Sequence, residues 1–303
     1  MPSFVDVAEY GALRAAIAVL GTVPWDRAVR IGSRVAALGY RPLGIRRRVV
    51  ETQIAAAFPD WDATRVRHVS RGAYENLGRT TVEAALLPTL SNAGIVSLFD
   101  GEGDWPVVAR AHAEGRGVIV VTGHIGNWEL AGAYIAARGV AIEGVTRRMT
   151  NPMFDRYLAT TRRRAGLGVI AHSDAVRRIP RALRAGHVVA MVADQGTKGM
   201  ASTFVPFFGR PAKTPRGPAV FALRLGVPVV IGTAVRLPSG KYRALVEPIE
   251  VAETGDREHD VDAVVARYTA VLERWVREYP EQYLWHHRRW RRQPPPTAEP
   301  LDR

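Results

Sequence analysis

The 303-residue chain contains no cysteine. That excludes a disulfide framework, a thiolate metal site and a cysteine nucleophile together. Lysine is almost as scarce. Only Lys198, Lys213 and Lys241 occur, so 39 of the 42 cationic side chains are arginine. The 29 acidic residues do not balance them, and the net charge is +13. No apolar run is long enough to cross a bilayer. The best one, YGALRAAIAVLGTVPW over 10–25, contains Arg14 and ends at Pro24, short of the roughly 20 apolar residues a span requires. It also lacks the polar lead-in and small-residue cleavage site of a signal peptide. The segment 10–24 is therefore expected to be an apolar helix, either packed in a core or lying partly in one membrane leaflet, with a single N-terminal membrane anchor as the remaining alternative.

What is present describes a folded protein. Hydrophobic residues make up 47% and charged residues 23%, which argues against disorder. Neither an internal repeat nor a linker divides the chain, so one domain over 1–303 is expected, with QPPPTAEPLDR (293–303) as a flexible tail. The arginine excess favours anionic partners such as phosphate, acidic headgroups or an acidic carrier protein. No nucleic-acid motif accompanies it, and no nucleic-acid partner is expected.

The first hundred residues carry helical spacing over 26–40, 44–61 and 62–87, with Asp62 as an N-cap. From about residue 105 the period changes. Strands are expected at 116–123, 141–148, 167–172, 187–195, 227–237 and 242–251. Helices alternate with them at 129–139, 151–166, 174–186 and 217–226, and a long helix closes at 261–280. This order implies an α/β fold: a central, mostly parallel, twisted sheet flanked by helices, behind an N-terminal helical layer.

In such sheets reactive groups collect at the carboxyl ends of strands. His124, the pair Arg147–Arg148 and Asp194 all fall at such ends. His124 lies in VVTGHIGNWELAG (120–132), where Gly123 and Gly126 permit a tight turn between strand and helix. A neutral imidazole there can accept a hydroxyl proton if an acceptor fixes its other nitrogen. Glu129 and Asp194 both qualify. A five-residue offset on a regular helix turns Glu129 about 140° away, so it reaches His124 only if the histidine precedes the helix. The metal reading is weak, because His124 has no second histidine at helical spacing and no cysteine exists. Neither a metal nor a resident cofactor is expected.

HIGNWE fits a His-x4-Glu pattern, and four ordered blocks follow it: TRRMTNPMFDRY (146–157), VADQGTKG (192–199), STFVPFFGRPAKTPRGPAVFALR (202–224) and PEQYLWHHRRWRR (280–292). Together they resemble the bacterial lipid A biosynthesis (late) acyltransferases, within the glycerolipid-type acyltransferase superfamily, and their phosphatidylinositol mannoside-acylating relatives. The resemblance spans roughly 10–292. It implies transfer of an acyl chain from a thioester, on acyl carrier protein or coenzyme A, to a hydroxyl of a membrane lipid. His124 would be the general base, with Glu129 or Asp194 as its partner. Direct attack is favoured over a covalent intermediate, since Thr122 and Thr197 carry no nucleophile motif. The oxyanion donors would be backbone N–H groups around Gly126–Asn127, or Arg148.

Substrate-binding candidates are Arg147, Arg148 and Arg164 for phosphates, Asn127 and Gln195 at the motif blocks, and Phe204, Phe207 and Phe208 as a wall of the acyl groove. Arg162 and Arg163 read as surface residues. The same FVPFFG patch also fits core packing, and Trp285 and Trp290 fit either a membrane interface or packing against the domain. The implied location is the cytoplasmic face of a bacterial inner membrane, on anionic lipid. A lipid A precursor is the expected acceptor; a phosphatidylinositol mannoside or lysophospholipid acceptor, a non-catalytic basic lipid- or nucleic-acid-binding protein, and a thioesterase using the same histidine on water are the alternatives.

Overall fold

The run Val118–Thr122 is apolar on both faces and fully buried, and it forms the strand around which the sheet is built. The computed structural model describes residues 3–196 and 199–294, so Thr197 and the tail beyond 294 lie outside the described residues. Six N-terminal helices come first: α1 (Phe4–Leu20), α2 (Trp25–Tyr40), α3 (Arg47–Ala57), α4 (Ala63–Leu86), α5 (Asn92–Ser97) and α6 (Trp105–Ala113). The α/β portion then runs β1 (Val118–Thr122), α7 (Trp128–Ala137), β2 (Ile142–Thr146), α8 (Pro152–Arg164), β3 (Leu167–Ala171), α9 (Ala175–Arg184) and β4 (Val188–Val192). A hairpin of β5 (Ser202–Phe207) and β6 (Arg210–Pro215) follows. The chain continues through α10 (Gly217–Leu225), β7 (Val229–Arg236), β8 (Tyr242–Ile249) and α11 (Arg257–Glu278).

The main sheet has the order β3-β2-β4-β1-β7-β8. All pairings are parallel except β7 with β8, which form an antiparallel edge. The expected α/β class and mostly parallel sheet are thus observed. Side chains of β1 alternate between two cores, as a period of two demands. Ile119 and Val121 face the core under α9, α10 and α11, while Val118 and Val120 face the core under α6 and α7.

The N-terminal layer is seated by glycine contact. Gly32 of α2 faces Gly78 of α4, and a Cβ on Gly32 would lie 2.8 Å from the Gly78 carbonyl oxygen. Asp62 caps α4 by accepting the Arg65 N–H at 2.7 Å. The first helix packs only part of its surface, with Ile17 and Leu20 half-buried against the small core of Ala28, Val29, Val82 and Leu86. None of the α1 side chains is buried, and Phe4, Val5, Val7 and Val19 are exposed. Among the described residues, no helix is long and apolar enough to cross a membrane.

The FVPFFG patch is the main departure from sequence expectation. It turns the β5–β6 hairpin, with Phe208 and Gly209 both at positive φ (53° and 68°) in a two-residue loop. A phenylalanine in the left-handed region costs about 1–2 kcal/mol. Here it is held by a Phe208 N–H bond to Glu273 and by the Arg277 guanidinium 4.4 Å from the centre of its ring.

Candidate active site

The β1–β4 register pairs Val118 with Val188 and Thr122 with Val192. Ala193 N–H continues the ladder to the Thr122 carbonyl at 2.9 Å. The same offset of 70 residues brings Asp194 beside His124. His124 sits in the turn between β1 and α7. That turn is tight because Gly126 takes φ +61°, and a side chain there would strike the Ala234 carbonyl.

Asp194 holds the histidine by two bonds. Its Oδ1 lies 2.7 Å from His124 Nδ1, and its Oδ2 accepts the His124 backbone N–H at 3.1 Å. The carboxylate is buried, at 1% exposure. Burial alone would raise the Asp194 pKa, but the imidazolium charge and these bonds outweigh it and hold the carboxyl below its ordinary value. Burial likewise disfavours the charged imidazole, and the Asp194 charge and bond, with a smaller pull from Glu129, lift His124 above its ordinary value. With Nδ1–H on Asp194, the Nε2 lone pair is left to accept a proton. The Gln195 amide nitrogen is 3.1 Å from the same Nδ1. Because that nitrogen already carries a proton, the amide does not donate to it.

Glu129 does not touch this pair. It forms a fork with Arg162 of α8, Nε to Oε2 at 2.9 Å and Nη2 to Oε1 at 2.5 Å. Both residues line a cavity of 680 Å³ that also takes in His124, Trp128, Arg147 and Gln195. The remaining wall is mostly apolar. Val145, Ile179, Met191 and Phe221 from one core cluster line it, as do Phe99, Trp105, Val120, Tyr134 and Val246 from the other. A polar mouth with an extended apolar interior suits a ligand with one reactive head and a hydrocarbon tail.

The model of the family described as bacterial lipid A biosynthesis acyltransferase matches residues 6–292. The chain belongs to that family. Among its relatives are the lipid A biosynthesis lauroyltransferase and palmitoleoyltransferase of Escherichia coli (strain K12). Each is 26% identical over 274 residues, covering 90% of this chain and 88% and 87% of the respective relatives. The phosphatidylinositol mannoside acyltransferase of Mycobacterium tuberculosis (strain H37Rv) is 27% identical over 157 residues, covering 50% of this chain and 49% of that protein.

Within this lipid A acyltransferase-family chain, the sequence candidates separate into two groups. His124, Glu129, Arg147 and Gln195 line the cavity, and Asp194 is bonded behind His124. Arg148 and Arg164 are exposed and do not line it. Asn127 is buried as the cap of α7: its Oδ1 accepts Leu130 N–H at 2.9 Å and its amide donates to Glu83 at 2.8 Å. The Gly126 and Asn127 N–H groups expected to serve an oxyanion are spent on the Gln282 and Ala234 carbonyls. The groove-wall expectation for Phe204, Phe207 and Phe208 is also corrected. None of the three lines the cavity; Phe207 and Phe208 are core residues packed on Tyr283, Trp285 and Trp290. Trp285 and Trp290 accordingly face the domain interior and are buried.

Arg162, read from sequence as a surface residue, is instead the partner of Glu129. Its signal was available only as one of three consecutive arginines, and helical phase puts Arg162 inward while Arg163 and Arg164 face solvent. Among the described residues, no group of three or more His, Asp or Glu side chains is placed to hold a metal ion.

Proposed function

We propose that this family member transfers an acyl chain from acyl carrier protein or coenzyme A to a hydroxyl of a lipid A precursor, with His124 as general base. The observation that supports it most is the Nδ1–H bond to buried Asp194, with the ring of His124 at the mouth of an apolar cavity. In the proposed reaction His124 Nε2 takes the acceptor hydroxyl proton while that oxygen bonds to the thioester carbonyl carbon. The tetrahedral oxyanion then collapses, the carbon–sulfur bond breaks, and the imidazolium returns its proton to the thiolate. No covalent acyl-enzyme and no cofactor enter this scheme.

Oxyanion donors remain available. Asn127 satisfies only the third N–H of α7, which leaves those of Trp128 and Glu129 at the positive end of the helix, and both residues line the cavity. Gln195 adds a side-chain donor beside His124. The Glu129–Arg162 pair and Arg147 give the mouth a polar rim suited to an anionic glycolipid headgroup. The apolar α1 surface supports peripheral attachment to the cytoplasmic leaflet of the inner membrane.

The test is an assay of purified protein with an acyl thioester and a tetraacyl or pentaacyl lipid A precursor. Formation of the acylated precursor, lost in His124→Ala, is expected. Unchanged product in His124→Ala overturns the general-base role. Activity confined to phosphatidylinositol mannoside or lysophospholipid overturns the acceptor assignment, and free fatty acid without acylated lipid makes the protein a thioesterase.

A further inference from the structure

A second depression, of 350 Å³, shares no lining residue with the catalytic cavity. Its walls come from one side of α3, the first residue of β6 and the segment after α11. Arg48, Arg210, Arg288 and Arg291 all line it, and no carboxylate does. None of the four takes part in a salt bridge among the described residues. All four are exposed, so they converge without counter-charge. The floor is rigid. Trp290 is buried, its indole N–H donates to the Phe207 carbonyl at 3.2 Å, and the Arg210 guanidinium sits 5.1 Å from the centre of its ring. Gln53 is fixed at the edge by accepting the Arg289 N–H at 2.7 Å.

Four guanidinium groups around one concavity repel one another unless an anion joins them, and their planar donor arrays match a phosphate. The exposed apolar residues that precede Arg48 in the chain indicate which phosphate. Ile31, Val35 and Leu38 are exposed on α2 at offsets of four and three residues, and Leu43 and Ile45, also exposed, lie in the loop that leads in sequence to Arg48 at the start of α3. Exposed aliphatic residues leading to unpaired arginines match the hydrocarbon boundary and headgroup layer of a bilayer. We infer that the Arg48–Arg210–Arg288–Arg291 pocket binds the headgroup phosphate of an anionic membrane lipid, at a site separate from the acceptor site. The pocket then fixes which face of the protein meets the membrane, and it goes beyond the reaction assigned to His124.

The experiment is co-sedimentation of the full chain with vesicles of phosphatidylcholine alone or with added phosphatidylglycerol. The variants are R48Q/R288Q/R291Q and an equally charge-reduced control, R110Q/R224Q/R257Q, whose arginines are exposed on α6, α10 and α11. At a factor of about five per interfacial cation, the pocket variant is expected to lose roughly a hundredfold in partitioning to phosphatidylglycerol vesicles. The control is expected to lose less than threefold, with circular dichroism reporting that both are folded. Equal losses in the two variants, or wild-type binding indifferent to phosphatidylglycerol, would overturn the inference. Calorimetry with adenosine 3′,5′-bisphosphate and with glycerol phosphate separates the sources. Tight binding of either that the pocket variant abolishes, without vesicle preference, assigns the pocket to a soluble phosphate instead. All readouts are binding, so they stand or fall independently of the acylation assay.

Discussion

Asp194→Asn is the most informative single change, because the amide keeps the size of the carboxyl and alters only what it can accept. In the native site two donors converge on the two carboxylate oxygens: the His124 backbone N–H on Oδ2 and the ring Nδ1–H on Oδ1. Asparagine has one carbonyl oxygen and one NH2. If the oxygen serves the backbone N–H, the NH2 faces Nδ1 and the ring proton must move to Nε2. The base is then in the wrong tautomer. If the amide turns over, the backbone N–H at the catalytic turn meets a donor instead. Either way the imidazolium of the transition state loses a buried counter-charge. A wrong-tautomer substitution of this kind costs on the order of 10⁴ in turnover in the serine-protease triad. We expect a fall of roughly 10³–10⁴ here, about 4–5.5 kcal/mol of barrier. The assay is thiol release from the acyl thioester with saturating acceptor, read as kcat/KM against pH. In the proposed reaction activity needs neutral His124, so it should fall as pH drops through the histidine pKa, which the Asp194 charge and bond lift above its ordinary value against the opposing effect of burial. Removing Asp194 leaves burial as the main influence, and burial favours the neutral ring. The acidic limb should therefore move to lower pH while the plateau collapses. A plateau within tenfold of wild type together with an unmoved limb would refute the role of Asp194 in setting the state of His124.

Glu129→Gln and Arg162→Gln should behave as one unit, since each breaks the same fork. The double variant should lose little more than either single one in acyl-transfer assays, and fully additive losses would separate the two roles. Both should leave the acidic limb closer to wild type than Asp194→Asn does, because Glu129 acts on His124 only through space. Phe207→Ala should destabilise the fold by about 3–5 kcal/mol without altering chain-length preference, as judged by denaturant titration and donor competition. Gly144→Ile is the converse case. A Cβ there meets only the Gly168 carbonyl oxygen, at 4.0 Å, and Gly144 lines the cavity, so stability should hold while the preferred donor becomes shorter in the same competition.

The sheet was legible because its signals are local. A β-branched run flanked by glycines, such as 117–123, can be read without knowing its neighbours. The histidine was legible for the same reason. What escaped depended on pairing across long separations. Asp194 could be placed at a strand end, but its choice over Glu129 follows from β4 lying next to β1, a crossover that skips β2 and β3. The His-x4-Glu pattern kept Glu129 as a partner of His124, although a five-residue offset turns it away on a regular helix. The structure spends Glu129 on Arg162, 33 residues away, because Glu129 follows the cap of α7 and faces α8. FVPFFG misled for a related reason. Aromatic density gives no direction, and neither Pro206, Pro211 nor Pro215 suggests a strand. Their edge hairpin turns the aromatics inward, where they seat the C-terminal Trp285 and Trp290. That seating gives the patch a function that composition could not convey. The segment it anchors carries the Leu284 N–H to the His124 carbonyl at 2.9 Å, and it places the Gln282 carbonyl on Gly126 N–H. The aromatic core thus reaches the His124 turn through the backbone. Damage to the hairpin should lower turnover by disordering that turn, with no direct contact to the acyl chain.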